Sequence, residues 1–466
     1  MKGNESRIVG YIEQNNRFVT FFGEDHHFIF IPERHANIHA LQNERLLYSN
    51  SGKNNGITVG RPVEVLIKAD NGFVKGSTID GRTILIYTGG DIELNPVSYI
   101  NTWLYIVSDN QCMELDFCDA IGFESGILKS LFYQSAIQIK NDVPVQNDDS
   151  IIVDIKECGI EKIIIASIIT KSRSAHEGLA INDSDVELRM IFNSRQRITS
   201  AFIQRYYDIL TMCQFMTYRK NICFDKVSLL RSYNNGQIKV ADCYIKPDYE
   251  TDSPRMKDRC ITFNSLGEKC IEELFKIIMY RNAIKSQFTV DFIPRSNQDV
   301  SVVDDRRLRD VCTSLEKENE LNRIKPLNKK AYKDLVDKIK VSLDNSKKSP
   351  DSKLTDREYS YISGNIKHWS GPAAELDKQL FDKYKKDIGY LMDFVGIEDL
   401  SEKDIHRVLR IRDSLTHGKG AILFEKPAKT VFVLTGVVYA SVLTRCGCSE
   451  EQIQYWINGG LLNMKL

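Results

Sequence analysis

The spacing of apolar residues changes along this chain of 466 residues, and that change limits the folds open to it. Up to about residue 195, apolar residues come in short runs rich in β-branched and aromatic side chains, as at 17–22, 63–67 and 83–87. Turn signals such as Asp70-Asn71-Gly72 separate the runs. The pattern predicts an antiparallel β-rich region, either a sandwich or a partly closed barrel.

From about residue 300 the apolar residues follow a helical period instead. Leu308, Val311, Cys312 and Leu315 stand at i, i+3, i+4 and i+7. Further helices are predicted at 332–343, 374–395, 401–417 and 428–446, with a short one after 449, which together indicate a bundle of five or six helices.

The stretch between the two patterns is mixed. It contains predicted helices at 200–218 and 266–283 and strand-like pieces at 226–230 and 237–244. We therefore expect an α+β protein in three parts. These are a β-rich N-terminal domain (1–195), an α/β extension of it (196–295) and an all-α helical-bundle domain (300–466).

Composition indicates a globular protein in the cytoplasm. Formal net charge is zero, so no strong global field draws the chain to nucleic acid. The eleven cysteines, odd in number and irregularly spaced, predict reduced thiols. The N-terminus predicts no signal peptide. The uncharged stretch 430–444 is shorter than the roughly 18–20 residues of a membrane span, so we expect a buried helix and no membrane partner.

Residues 412–417, RDSLTH, give the clearest indication of a chemical function in this sequence. They place a permanent cation, Arg412, five positions before a titratable imidazole, His417, near the end of a helix that Ser401 is expected to cap. Such a pair suits RNA cleavage without a metal or cofactor, because one group neutralises phosphate and the other moves protons near neutral pH.

Geometry leaves two interpretations of this pair open. On an ideal helix Arg412 and His417 lie roughly 140° apart and do not converge. Gly418 and Gly420 predict that the helix ends near His417, which lets the imidazole turn toward the arginine. An Arg and a His on a charged helix are also common without any chemistry. Arg412, however, falls within the apolar arc of its helix, and this position favours the chemical interpretation.

The segment Arg412–His417, with Asp413 at the polar position, resembles the R-x4-6-H motif that marks ribonucleases of the HEPN superfamily. Residues 309–316 are similar to an early helix of that bundle. A β-rich region followed by a helical bundle is similar to the layout of the ApeA-like anti-phage proteins. The resemblance covers residues 300–466, and the N-terminal part by architecture alone.

This resemblance implies a metal-independent endoribonuclease that works as a homodimer through the bundle. The ribose 2′-OH of an RNA substrate, tRNA among the candidates, would attack the adjacent phosphorus and leave a 2′,3′-cyclic phosphate. His417 would act as general acid or base, Arg412 would stabilise phosphoryl charge, and Asp413 would orient one of them. The chain would be a toxin-type protein of abortive infection, its N-terminal region restraining the bundle or sensing a phage-derived trigger.

Two other functions stay open. The bundle could keep the fold and serve only for dimerisation or nucleic-acid binding, or an antitoxin could neutralise the toxin. Other signals are weaker. His26, His27, His35 and His39 lie close together in the sequence, and the last two have the spacing of zinc ligands on a helix. The stretch contains no clear helix and no cysteine, so a surface loop is favoured. Nine lysines against four aspartates in 325–353 predict either an RNA-steering patch or a solvated helix face.

Overall fold

The computed structural model describes sixteen stretches of the chain, which are residues 7–14, 17–32, 65–94, 97–111, 114–132, 137–140, 143–146, 150–155, 159–174, 178–234, 236–250, 260–325, 329–349, 353–367, 373–418 and 423–459. Within them, a large antiparallel sheet occupies the N-terminal region and helices occupy the C-terminal region. The predicted α+β class is therefore confirmed.

The described residues contain seventeen strands, which are β1 (Ile8–Gln14), β2 (Arg17–Glu24), β3 (His27–Pro32), β4 (Val65–Ile67), β5 (Phe73–Thr78), β6 (Arg82–Tyr87), β7 (Ile92–Leu94), β8 (Ser98–Asn101), β9 (Leu104–Gln111), β10 (Phe117–Glu124), β11 (Ile137–Lys140), β12 (Val143–Gln146), β13 (Ser150–Asp154), β14 (Ile160–Ser174), β15 (Gly178–Arg197), β16 (Lys226–Tyr233) and β17 (Gly236–Ile245). Thirteen form one sheet in the order β13-β14-β15-β10-β16-β17-β9-β6-β5-β1-β2-β3-β8. Strands β4 and β7, and β11 and β12, form separate pairs.

Part of the large sheet curls on itself. Five strand-to-strand steps separate β9 from β3 in the sheet order, which would be about 24 Å in a flat sheet. The rings of Phe28 on β3 and Tyr105 on β9 nevertheless have centroids only 5.4 Å apart. The strands between them must therefore bend round so that the two ends of this run meet.

Aromatic residues form much of the core of the first strands. Phe21, Phe28 and Phe30 are fully buried and lie in one apolar cluster, with Tyr105 packed against it. Phe22, by contrast, has 44% of its surface exposed. It follows Phe21 on β2, and successive side chains of a strand point to opposite faces, so only one of the two can face the core.

Twelve helices lie in the described residues, which are α1 (Gly126–Leu131), α2 (Ile198–Thr217), α3 (Phe263–Leu266), α4 (Glu268–Met279), α5 (Asp305–Leu321), α6 (Lys329–Lys348), α7 (Asp356–Lys367), α8 (Ala373–Tyr384), α9 (Gly389–Val395), α10 (Glu402–Thr416), α11 (Glu425–Arg445) and α12 (Glu450–Asn458). A 3-10 turn, Asn297–Asp299, precedes α5.

Eight of these helices follow residue 300, rather than the five or six expected. The predicted helix 374–395 is interrupted between α8 and α9, where the turn residue Ile388 is fully buried and Gly389 begins the second helix. Helix α7 was not predicted at all. Thr355 and Glu358 cap it reciprocally, since the Thr355 hydroxyl donates to Glu358 at 2.7 Å and accepts from the Glu358 N–H at 3.2 Å.

Contacts between backbone positions divide the chain into two compact units. The first comprises residues 1–213, 221–256 and 262–264, and the second comprises 214–220, 257–261 and 265–466. Strands β16 and β17, from the predicted extension, lie within the main sheet between β10 and β9. The division into 1–195, 196–295 and 300–466 stays a prediction about domains.

Helix α11 forms the centre of the second unit. It contains the uncharged stretch predicted to be a buried helix, and residues from Val431 to Leu443 are almost all buried. By length and composition it is the one helix among the described residues that could cross a membrane, but 78% of its most apolar window is buried inside the fold. The core helix of a soluble protein has these same properties.

Nine of the eleven cysteines lie in described residues, and all nine are free thiols. Burial raises the pKa of Cys118, Cys312 and Cys446 to about 12 in each case. Near neutral pH these three side chains are therefore neutral, and they behave as small apolar groups rather than as nucleophiles.

Candidate active site at the end of helix α10

Helix α10 begins as its sequence predicts. Ser401 is the N-cap residue, and its hydroxyl accepts a hydrogen bond from the Asp404 N–H at 3.2 Å. The Asp404 carboxylate accepts in return from the Ser401 N–H at 3.3 Å, which completes a capping box. Ile405, Val408 and Leu409 are buried, so they fix which side of the helix faces the bundle. The predicted N-cap is confirmed.

The helix also ends where the glycines predict. Thr416 is its last residue, and His417 is the C-cap, with its N–H donating to the Asp413 carbonyl at 3.1 Å. Gly418 takes a left-handed backbone conformation with φ of 69°, which costs glycine little and other residues more. The second predicted glycine, Gly420, lies outside the described residues.

Arg412 is half-buried and held by two carboxylates. Its side chain is 22% exposed. One terminal nitrogen, Nη1, donates to Glu316 on α5, while Nε and Nη2 lie 3.1 Å and 3.0 Å from Oδ1 of Asp413. The structure thus joins two of the three predicted site residues, Arg412 and Asp413, and adds a carboxylate from a helix that precedes them by about a hundred residues.

These carboxylates determine the charge at the site. Burial disfavours the guanidinium cation, but the hydrogen bonds and charges of Glu316 and Asp413 outweigh it and raise the pKa of Arg412. Arg412 therefore stays cationic at every pH of interest. One cation faces two anions, so an incoming phosphate must displace at least one of them to reach the guanidinium.

His417 is not joined to this cluster. Its side chain is exposed, and within the part of the chain that the structure describes its ring makes no hydrogen bond or ion pair. Only its backbone N–H is fixed, by the helix cap. Among the described residues, nothing holds the imidazole or occupies either of its ring nitrogens.

A buried acid–amide pair behind Arg412 was not predicted. Asp377 on α8 is fully inaccessible, and Asn319 on α5 donates to its Oδ1 at 2.6 Å. Its Oδ2 has no hydrogen-bond partner in the described residues. Burial, with a smaller contribution from Glu316, raises the pKa of Asp377 to about 7 against the opposing effects of Asn319 and Arg412. Asp377 therefore keeps its proton to a much higher pH than an ordinary aspartate does.

One sequence signal could have revealed Asp377. It stands at an apolar-face position of α8, three residues after Ala374 and three before Leu380, where a carboxylate is expensive unless it is paired or protonated. Asn319 lies 58 residues earlier in the chain, so nothing local connects the two.

Helix α5 is itself fixed by a second buried carboxylate. Glu318 is fully inaccessible and accepts hydrogen bonds from Arg445 on α11 at 2.6 Å and from Thr289 at 2.7 Å. The Ser441 hydroxyl on α11 also donates to it. A buried charge with this many donors resists displacement, so it keeps α5, and with it Glu316, in a fixed register against α11.

The histidines near the N-terminus do not assemble a metal site in the described residues. His26 lies in the turn between β2 and β3, and burial lowers its pKa. The ring of His27 is 2.5 Å from the Asn101 side chain. His35 and His39 lie outside the described residues. Among those that are described, no group of three or more His, Cys, Asp or Glu side chains could hold a metal ion.

Comparison of the whole chain with models of protein families gives no match, and neither curated proteins nor solved structures match it. The resemblance to the HEPN superfamily accordingly stays a prediction that rests on residues 412–417 and on the order of β-rich and helical regions.

Proposed function

We propose that this protein is a metal-independent endoribonuclease of the HEPN type, with its active site at the C-terminal end of α10. One observation carries the proposal. A half-buried arginine, Arg412, is held in place by α5 and α10, and an exposed histidine, His417, whose ring has no partner among the described residues, ends the same helix five residues later. A fixed cation beside a mobile proton carrier is what phosphodiester transesterification needs.

The proposed reaction is an internal transfer at one phosphate. The ribose 2′-OH loses its proton to a neutral imidazole and its oxygen attacks the adjacent phosphorus. The bond from phosphorus to the 5′-oxygen breaks, and an imidazolium gives that oxygen its proton. The products are a 2′,3′-cyclic phosphate and a free 5′-OH, and Arg412 stabilises the charge on the phosphoryl oxygens meanwhile.

Two imidazoles serve this reaction better than one. A base and an acid act on opposite sides of the phosphorus, and each chain offers a single histidine in the motif, His417. We therefore include in the proposal a homodimer in which two copies of the α10 end face one cleft. Two further parts of the proposal rest on the resemblance alone. They are that the N-terminal region senses a phage-derived signal and that the protein acts in abortive infection.

One observation favours a second candidate function. The Arg412 guanidinium already has carboxylate partners in Glu316 and Asp413, which is also what a purely structural arginine would show. A bundle of this kind would serve dimerisation or nucleic-acid binding without cleavage. The two candidates differ in whether the ion pair opens when RNA arrives.

The first test measures RNA cleavage in EDTA by the wild type, His417→Ala and Arg412→Ala. We expect each substitution to lower the rate at least about 100-fold, because each removes a group that acts in the transition state. Wild-type products should carry a 2′,3′-cyclic phosphate, and a substrate with a 2′-deoxyribose at the cleavage site should stay intact.

Matched controls lie on the same helix. His406→Ala and Arg410→Ala remove exposed residues of the same types and should leave the rate within about twofold of the wild type. A His417→Ala protein that cleaves RNA as fast as its parent rules out the proposed enzyme and leaves the binding module.

The second test separates the two candidates through Glu316. Replacement by Gln keeps the side-chain shape but removes one of the two anions on Arg412. A partly exposed ion pair is worth up to about 1 kcal/mol, so RNA should bind about two- to fivefold more tightly, and cleavage at limiting RNA should rise equally. Unchanged binding and cleavage in Glu316→Gln would mean that the ion pair does not open.

A further inference from the structure

A cleft of about 180 Å³ opens beside the first turns of α5, and no residue of the α10 site lines it. Its wall is densely charged. Four basic and four acidic side chains contribute, which are Lys220, Arg295, Arg306, Arg307, Asp291, Asp299, Asp304 and Asp310. Charged residues rarely gather around a concave surface without either pairing with one another or meeting a ligand.

Three of the eight already have structural partners. Asp304 is the N-cap of α5 and accepts from the Arg307 N–H at 2.7 Å. Asp299 accepts from the Ser296 hydroxyl at 2.8 Å. The Arg307 guanidinium donates to the carbonyls of Val300 and Val302, at 2.6 Å and 2.8 Å. These groups build the wall, and their hydrogen-bonding capacity is largely used.

The other five are incompletely paired in the described residues. The Lys220 ammonium donates one hydrogen bond, to the backbone carbonyl of Asp291 at 3.3 Å. Arg306 and Asp310 lie 3.6 Å apart, too far for a good hydrogen bond. Neither the Arg295 guanidinium nor the Asp291 carboxylate has a hydrogen bond or ion pair with any described side chain.

The pKa values of two of these groups are shifted in the directions that incomplete pairing predicts. Burial, followed by the neighbouring Arg306, lowers the pKa of Lys220. Burial, with the nearby Asp291 adding to it and Arg306 opposing it, raises the pKa of Asp310. Asp310 and Asp291 oppose the shift of Lys220, as Arg306 opposes that of Asp310, so the charges of the cleft compensate one another only in part. A ligand that supplies an anion to the cations and N–H donors to the carboxylates would complete that compensation.

We propose that this cleft binds a small phosphorylated molecule that also carries N–H donors, the chemistry of a nucleoside monophosphate. The phosphate would lie against Lys220, Arg295 and Arg306, since guanidinium groups bind phosphate oxygens in pairs and ammonium adds a point charge. The amino group of a base would donate to Asp291 and Asp310, as carboxylates accept from such groups.

The experiment titrates the full-length protein calorimetrically with AMP, GMP, CMP and UMP, and with inorganic phosphate and the four nucleosides. We expect at least one nucleotide to bind at least tenfold more tightly than phosphate or its own nucleoside. Arg306→Gln should weaken the binding of that nucleotide about tenfold. Asp310→Asn should also weaken nucleotide binding, but should leave the weak binding of phosphate unchanged or make it stronger.

Arg309→Gln is the matched control. Arg309 is on the same helix, does not line the cleft and donates to its own helix at the Asp305 carbonyl. Arg295→Gln provides a second variant should Arg306→Gln fold poorly. No binding of any of the four nucleotides at millimolar concentration overturns the proposal. The proposal is also overturned if Arg306→Gln and Arg295→Gln weaken nucleotide binding no more than Arg309→Gln does.

Discussion

Arg412 owes its position to residues that are far from it in the sequence. The sequence identifies the arginine, its neighbour Asp413 and His417, because all three lie in one short motif. Glu316 lies 96 residues earlier, and only the packing of α5 brings it to the guanidinium. Local spacing can indicate which residue types a reaction needs, but the charges around them depend on the tertiary fold.

Asp377 gives the clearest prediction at the residue scale. Its pKa is raised from 3.8 to about 7, so the folded protein keeps a proton that the unfolded chain releases. The unfolded state then binds fewer protons, and stability falls as pH rises between these two values. Above about 7 the loss is complete and on the order of a few kcal/mol.

Asp377→Asn should remove this pH dependence. An amide cannot ionise and has nearly the shape of the protonated acid, so the variant should have a flatter stability profile between pH 4 and 7 and exceed the wild type at pH 8. Urea unfolding at several pH values measures this. Asp382→Asn, at an exposed ion pair with Lys378 on the same helix, should keep the wild-type slope. Equal slopes in Asp377→Asn and the wild type would contradict the assignment.

Among the elements, α10 depends most visibly on its first turn. Ser401→Ala removes the capping hydroxyl and leaves the Asp404 N–H without its partner, which should lower the free energy of unfolding by about 1 kcal/mol. Denaturant unfolding followed by far-ultraviolet circular dichroism measures the change.

The control for this prediction is Ser414→Ala. Ser414 lies on the same helix and its hydroxyl donates to the Arg410 carbonyl, an interaction that adds little to helix stability. We expect a change below about 0.5 kcal/mol. Equal losses in the free energy of unfolding for the two variants would show that the capping box does not stabilise the start of α10.

The elements that sequence analysis missed have physical explanations. Helix α7 is short and polar but has a clear capping signature, Thr355-Asp356-Arg357-Glu358, and a search for apolar runs overlooks it. The break between α8 and α9 lies within a continuous helical pattern, because the turn residue Ile388 is itself apolar and buried. Runs of apolar residues predict where elements occur better than where they end.

At the scale of the whole molecule, the α+β class and the antiparallel pairing could be predicted from residue patterns. The strand order could not. Strand β10 pairs with β16 across more than a hundred residues, for example Ala120 with Leu230, and nothing local encodes that choice. The bend of the sheet that brings Phe28 close to Tyr105 could not be predicted either, because it depends on every strand between β3 and β9.

The two compact units are interleaved along the chain, and this has a practical consequence for anyone who trims the protein. A fragment that begins at residue 300 loses 214–220, whose Phe215 ring stacks on Tyr439 of α11 with centroids 4.7 Å apart and whose Tyr218 hydroxyl accepts from Arg307. Both aromatic partners are fully buried in the intact chain. Truncation would expose apolar surface on the central helix, so recombinant fragments that begin there should aggregate, and experiments on the C-terminal half should use the full-length polypeptide.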